Sequence, residues 1–190
     1  MPAPSDARRA TPADHDRVVT TVVEAFHRDP AFRWFFNADG FGEQAAAFAG
    51  ALFDRRVARE AVWVVDGGAA VAMWEPPGAD WTDHGALDAL PVGVRRRLVA
   101  WDEAIAPLLP TGDLWYLGVL ATSPSRVGEG LGRRAAAPGL AAAAAAGLDA
   151  WLETSSAANV AMYRRRGWEL VGAVEVAGVT ASVLRRPAAG

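Results

Sequence analysis

The sequence contains no cysteine, which excludes disulfides, thiolate metal sites and a cysteine nucleophile. It contains no lysine either, since all 19 basic residues are arginine. A Walker-type phosphate loop, which closes in Gly-Lys-Ser/Thr, is therefore ruled out. The three histidines, His15, His27 and His84, stand apart without metal-ligand spacing, so no metal site is expected. Neither sign of charge dominates. A formal net charge of −3 provides no global field for nucleic acid or an anionic membrane. The one long apolar stretch, Ala135–Leu152, is broken by Pro138, Gly139, Gly147 and Asp149. Alanine drives membrane insertion poorly, so this stretch reads as a buried helix running into a strand. Met1–Ala13 is polar and contains proline, unlike a signal peptide. A cytoplasmic protein with no membrane partner is the expectation.

What remains is ample for a core: 52% of the 190 residues are hydrophobic. With no repeat and no linker, residues 1–190 read as a single α/β domain. Arg8-Arg9-Ala10 suggests a short strand. Thr11-Pro12-Ala13-Asp14 opens a helix that must stop before Asp29-Pro30. Phe32, Trp34, Phe35 and Phe36 form an aromatic cluster, and a second helix is expected from Glu43 to about Glu60. Val62–Val65 and Ala70–Trp74 flank Asp66-Gly67-Gly68 as a β-hairpin. A helix over Val92–Ile105 and a strand over Leu114–Thr122 follow. The Ala-rich helix then runs to about Ala146, with an irregularity at Pro138-Gly139. Ala150–Thr154 is a strand and Asn159–Arg166 a short helix. Trp168–Val176 and Val179–Leu184 close the chain as a hairpin around Ala177-Gly178.

The most informative segment is the junction after Thr122. Gly128, Gly130 and Gly132 alternate in a turn between a strand and a helix. The first helical turn leaves backbone N–H groups unpaired, and with the helix dipole they form an anion site. Glycine lets a phosphate approach the backbone closely. A Rossmann fingerprint would place the third glycine one residue later, although Glu153 lies near the distance its acidic residue would take. An ordinary strand-to-helix turn has the same spacing.

Ser123-Pro124-x-x-Val127-Gly128-x-Gly130-x-Gly132 resembles the acyl-CoA loop of the GNAT superfamily of N-acetyltransferases. Two further blocks carry the same resemblance in the same order along the chain. Downstream, Leu152-Glu153-Thr154-Ser155 precedes Asn159-x-x-x-Tyr163 and Gly167-Trp168. Upstream, Ala25-Phe26-x-x-Asp29-Pro30 and the hairpin ending at Trp74 are similar to the puromycin N-acetyltransferase branch.

The resemblance implies a mixed, mostly antiparallel central sheet with a splayed strand pair, flanked by helices. It implies that the central strand parts from its neighbour at 119–123, where the donor's pantetheine pairs with Leu120, Ala121 and Thr122. The pyrophosphate of acetyl-CoA would sit on residues Val127, Gly128, Glu129, Gly130, Leu131, Gly132 and Arg133. Asn159 would hold a pantetheine amide, although it also suits a helix N-cap. Tyr163 would face the leaving sulfur. The loop departs from the family pattern at Val127, usually Gln or Arg, and at Glu129, usually basic. Arg126, Arg133 and Arg134 are candidates for the missing charge.

Aminolysis of a thioester needs a neutral amine, and an alkylamine is mostly charged at pH 7. Glu153, at a strand end facing the cleft, is the first candidate base; Glu24, Asp29, Glu75 and His27 are alternatives. Asp29, Glu75, Trp34, Trp74 and Trp115 are candidates for the acceptor side, although tryptophans are more often core. The expected partner is a small-molecule amine, such as an antibiotic or a biosynthetic intermediate, bound by a monomer or homodimer. Arg95-Arg96-Arg97 and Arg164-Arg165-Arg166 read as solvated faces. They would meet nucleic acid only if the donor were an aminoacyl-tRNA. A carrier-protein thioester, or a degenerate module that binds ligand without turnover, completes the alternatives.

Overall fold

A computed structural model describes residues 6–78 and 87–188. His84 and the first five residues lie outside them. The described chain runs β1 (Arg8–Arg9), α1 (His15–Phe26), α2 (Pro30–Phe35), α3 (Phe41–Val57), β2 (Val62–Val65), β3 (Ala70–Glu75), α4 (Val92–Ile105), β4 (Trp115–Thr122), α5 (Leu131–Ala145), β5 (Ala150–Thr154), α6 (Ala157–Arg164), β6 (Glu169–Val176) and β7 (Val179–Arg186).

The seven strands form one sheet in the order β1-β2-β3-β4-β5-β7-β6. Every pairing is antiparallel except β4 with β5. The fold is thus a GNAT-like α/β fold with a mixed, mostly antiparallel sheet between helices. Inward residues separate into two cores. Val64, Val71, Met73, Val119 and Val183 meet the aromatic cluster and helices α1 to α4 on one face. Trp63, Ala72, Trp74, Leu117 and Leu184 meet α5 on the other. This division follows from strand alternation.

Local chemistry sets the ends of the elements. Asp14 accepts from the Thr11 backbone N–H at 2.8 Å and receives Arg8 at 2.6 Å, which holds its carboxyl well below the usual range. Asp29 caps α2 by accepting from Phe32 N–H at 3.1 Å, with Pro30 in the first turn. The aromatic cluster therefore begins on a helix, which presents Phe32 and Phe35 to the core. Thr21 Oγ1 donates to the carbonyl of Gly68 at 2.7 Å and so ties α1 to the β2–β3 turn.

The expected irregularity at Pro138 does not interrupt α5, which runs through it. The proline costs one backbone hydrogen bond. The face formed by Leu131, Ala135, Gly139 and Ala143 holds the helix on the sheet. Gly139 is indispensable to that contact. A Cβ there would lie 2.3 Å from Cε2 and Nε1 of Trp74, which is fully buried. Gly139→Ala gains about 1 kcal/mol of helix propensity. Overpacking an immobile indole costs about 1–3 kcal/mol or more, so we expect net destabilisation in a urea melt. A variant as stable as the parent would show that α5 can lift off Trp74 freely.

Candidate active site

The site grows from a defect in the sheet. β4 and β5 pair only at Trp115↔Ala150 and Tyr116↔Trp151. Beyond these the strands part, earlier than the expected 119–123. The cause is visible on the other edge of β4. Met73 pairs with Val119 but Trp74 with Leu117, so Gly118 is an extra, bulged residue. A bulge bends its strand and increases local twist, and here it turns β4 away from β5. From Leu117 onward β4 keeps β3 on one side and, among the described residues, has no strand on the other.

The gap is filled by a slot lined by Phe26, Leu117, Leu120, Thr154, Asn159 and Tyr163. It opens into a larger cleft of about 460 Å³ bordered by Thr122, Val127, Gly128, Gly130, Gly132 and Arg133. Gly128 and Gly130 have φ of +95° and +75°, the left-handed region that favours glycine. Gly130 stands immediately before α5 without a side-chain cap, and the first capping bond runs from Arg134 N–H to the Gly130 carbonyl. The amides of Leu131, Gly132 and Arg133 are thus left for a ligand. Ala121 is buried in the core and pairs with Val71 of β3, so the alternation of the strand turns its backbone groups away from the gap.

Charge at this cleft differs from the sequence reading. Glu129 receives Arg126 through two bonds of 2.6 Å, and the same guanidinium reaches Asp66 at 3.1 Å. Hydrogen bonding from Arg126 holds the Glu129 carboxyl below its usual range. The repulsive carboxylate is offset, and Arg126 is spent in doing so. The cleft is also bordered by Arg28, Arg133 and Arg166. Arg28 and Arg166 come from α1's exit and α6's exit; no local pattern marks Arg28, and the run Arg164-Arg165-Arg166 by itself suggests only a solvated face.

Tyr163 and Asn159 share one face of α6 and line both slot and cleft. The N-cap of α6 is Ser156, which accepts from Asn159 N–H at 3.3 Å. Asn159 is therefore free of the capping role, and the Ser155-Ser156 pair was its sequence signal. Burial raises the Tyr163 phenol to about 12. Asp29 also borders the slot, where its Oδ2 accepts from Ser155 Oγ at 2.8 Å. That bond fastens the α1–α2 junction to the end of β5.

A second cavity, of about 110 Å³, adjoins the slot through Phe32, Phe35, Trp101, Gly118 and Glu153. Glu153 lies at the junction. Its Oε2 has no hydrogen-bond partner among the described residues. Burial, and then the nearby Asp102 charge, push the Glu153 carboxyl up to about 8. Asp102, on α4, also lines this chamber, and burial raises it to about 7 against the pull of Arg55 and Arg56. Sequence reasoning missed Asp102, which alternates with solvent-facing polar residues on an amphipathic helix.

The other candidates lie elsewhere. Glu75 is 2% exposed and pairs with Arg55 at 2.5 Å, Arg56 at 2.9 Å and Arg59 at 3.6 Å. Trp74 is buried against Gly139 and Trp115 on the α5 face. Trp34 packs on Phe35 and Trp101 at the outside of α2. Glu24 and His27 are exposed on and just after α1. None of these side chains lines slot, cleft or chamber.

No family model matches the chain. Solved structures do. The chain is similar to a histone acetyltransferase HPA2-related acetyltransferase from Corynebacterium glutamicum, with 27% identity and a TM-score of 0.73 over 99% of this chain and 98% of that one. It is also similar to a protein from Desulfovibrio desulfuricans assigned to the GNAT acetyltransferase family, with 20% identity and a TM-score of 0.62 over 98% and 100%. A Drosophila melanogaster polyamine N-acetyltransferase shares 13% identity and a TM-score of 0.65 over 95% and 98%. The likeness spans diverse acetyltransferases of the GNAT fold and singles out no branch.

Proposed function

We propose that this protein is an N-acetyltransferase that moves an acetyl group from acetyl-CoA to a primary amine of a small molecule. The observation that carries this reading is the wedge between β4 and β5. One end opens on the glycine turn and its arginines, and the other on Glu153. Leu120 and Thr122 turn their backbone groups to the gap for the donor's amides, Ala121 between them pairs with Val71 of β3, and Asn159 faces the gap. The amides of Leu131, Gly132 and Arg133, with the Arg28, Arg133 and Arg166 side chains, suit a pyrophosphate. Because Arg126 offsets Glu129, acetyl-CoA is the donor this reading takes.

The chemistry is direct attack. Amine nitrogen bonds to the acyl carbon, and the C–S pair leaves on sulfur. The ammonium sheds two protons: one returns to sulfur and the other reaches solvent. Glu153, raised by burial, has a proton affinity close to working pH, as a general base requires. Tyr163 donates a hydrogen bond to the sulfur. No helix among the described residues is long and apolar enough to cross a membrane, which suits a small, diffusible acceptor.

Gly130→Asp tests the donor site. Asp tolerates the left-handed region better than most residues, and a Cβ at Gly130 meets nothing within 4 Å. The fold should survive while a negative charge enters the phosphate site. We expect acetyl-CoA binding, followed by calorimetry, to weaken at least tenfold. Parent-like affinity would remove the pyrophosphate from this turn.

A further inference from the structure

Resting on the acetyltransferase reading, we propose that Ser155 is a positioning residue for the acyl donor. Through Asp29 its hydroxyl clamps the α1–α2 corner over the gap between β4 and β5, and the seated corner holds the donor's pantetheine arm toward Tyr163.

Three hydroxyl residues in a row, Thr154, Ser155 and Ser156, follow Glu153 and divide two tasks. Thr154 Oγ1 accepts from Asn159 Nδ2 at 3.4 Å, and Ser156 Oγ accepts from Asn159 N–H at 3.3 Å, so both serve α6. Side chains along an extended chain alternate in direction, and Ser155 between them serves the opposite wall. Its Oγ donates to Asp29 Oδ2 at 2.8 Å and accepts from Ala31 N–H at 3.4 Å. The end of β5 thus holds both flanks of the slot, α6 through its neighbours and the corner through Ser155.

The corner itself is stiff. Asp29 N–H donates to the Phe26 carbonyl at 3.0 Å, and Asp29 Oδ1 accepts from Phe32 N–H at 3.1 Å. The Phe26 and Phe32 rings stack with centroids 4.4 Å apart. Such a unit seats or lifts as one piece, and it carries Phe26, Ala31 and Phe32 to the slot opposite Asn159 and Tyr163. An arm lying in the slot is therefore gripped between corner and α6. Among the described residues, the corner's hydrogen bonds to the end of β5 both run to Ser155 Oγ. Without that hydroxyl the corner is unseated part of the time. Apparent affinity falls with the fraction of molecules in the competent state, so a corner seated about one-fifth of the time binds about fivefold more weakly. The nucleotide end of the donor lies on the glycine turn, away from the clamp, and is not affected. Ser155 and Asp29 are both half-buried, so water replaces the lost partner and an alanine variant folds.

The test uses the full-length chain. Ser155→Ala removes the clamp, and Ser155→Thr restores a hydroxyl at the same place. Calorimetry compares acetyl-CoA with the same nucleotide lacking its arm, adenosine 3′-phosphate 5′-diphosphate. We expect Ser155→Ala to raise the acetyl-CoA Kd at least fivefold and to leave the Kd of the armless nucleotide within twofold. Ser155→Thr should stay within twofold of the parent for both. Parent-like acetyl-CoA affinity in Ser155→Ala would overturn the clamp and leave the acetyltransferase reading standing. An equal loss for both nucleotides would also overturn it, since general disruption of the site does not depend on the arm. Failure of Ser155→Thr to restore affinity would take the hydroxyl out of the role. A parent protein that binds neither nucleotide would defeat the acetyltransferase reading and the clamp together.

Discussion

Tyr163→Phe should lower kcat by about 10²–10³-fold, the size seen when one donor to a developing anion is removed. Burial holds the Tyr163 phenol near 12. Passing its proton to a thiolate of ordinary pKa, about 8.5, would be uphill by about 5 kcal/mol. The hydroxyl therefore serves best as a fixed hydrogen-bond donor that strengthens as sulfur gains charge. Such a contact belongs to the transition state and leaves ground-state binding almost unchanged. The ring still packs on Trp168, with centroids 5.6 Å apart in a T-shaped pair, so the Phe variant should fold normally. The decisive measurement is single-turnover acetylation beside acetyl-CoA titration. A tenfold or greater loss of donor affinity would instead make Tyr163 a binding residue. Unchanged single-turnover rates would take it out of the reaction.

Glu75→Gln should be the most destabilising single change at the site's foundation. One carboxylate, 2% exposed, faces Arg55, Arg56 and Arg59 at the end of α3. Arg56 is itself so buried that desolvation lowers it to about 10, against the opposing attraction of Glu75. Removing one partner of a buried pair leaves uncompensated charge, which costs about 3–5 kcal/mol. For a domain of this size that corresponds to a fall of roughly 6–20 °C in Tm. The change should also disturb the chamber, because Arg55 and Arg56 are part of its wall. Chemical melts of parent and variant at pH 7 measure the effect. A loss under 1 kcal/mol would mean that water or Asp102 compensates the arginines, and that Glu75 does not anchor them.

Glu75 also marks the boundary of what sequence reasoning reaches. As a carboxylate at a hairpin end beside Trp74, it had the same local credentials as Glu153. Glu75 ends β3, and Glu153 is the penultimate residue of β5. Only the sheet order tells them apart: Glu75 on β3 turns beneath the C-terminal turns of α3, whereas Glu153 on β5 stands at the gap left by β4. The alternation of residues within a strand is local, but which helix covers that strand is not. Trp74 shows the same limit. Its burial was legible from hydrophobicity, but its contact with Gly139, 65 positions later in the sequence, depends on α5 crossing β3.

By itself the sequence determined the pieces whose cause lies within a few residues. The helix over Val92–Ile105 and the strand over Ala150–Thr154 appear with the expected bounds. The glycine turn appears with positive φ at Gly128 and Gly130, because only glycine adopts that backbone without strain. The spacing of Asn159 and Tyr163 put both on one face of α6, since helical geometry leaves no other choice for residues four apart. Tertiary structure alone decided where charge meets charge. Arg126 closes on Glu129 and Asp66, Arg28 and Arg166 arrive at the cleft from separate helices, and Asp102 enters the chamber beside Glu153. Such meetings depend on long-range strand pairing and on a single bulged glycine in β4. Periodicity shows which face of an element is apolar but not which other element will cover it.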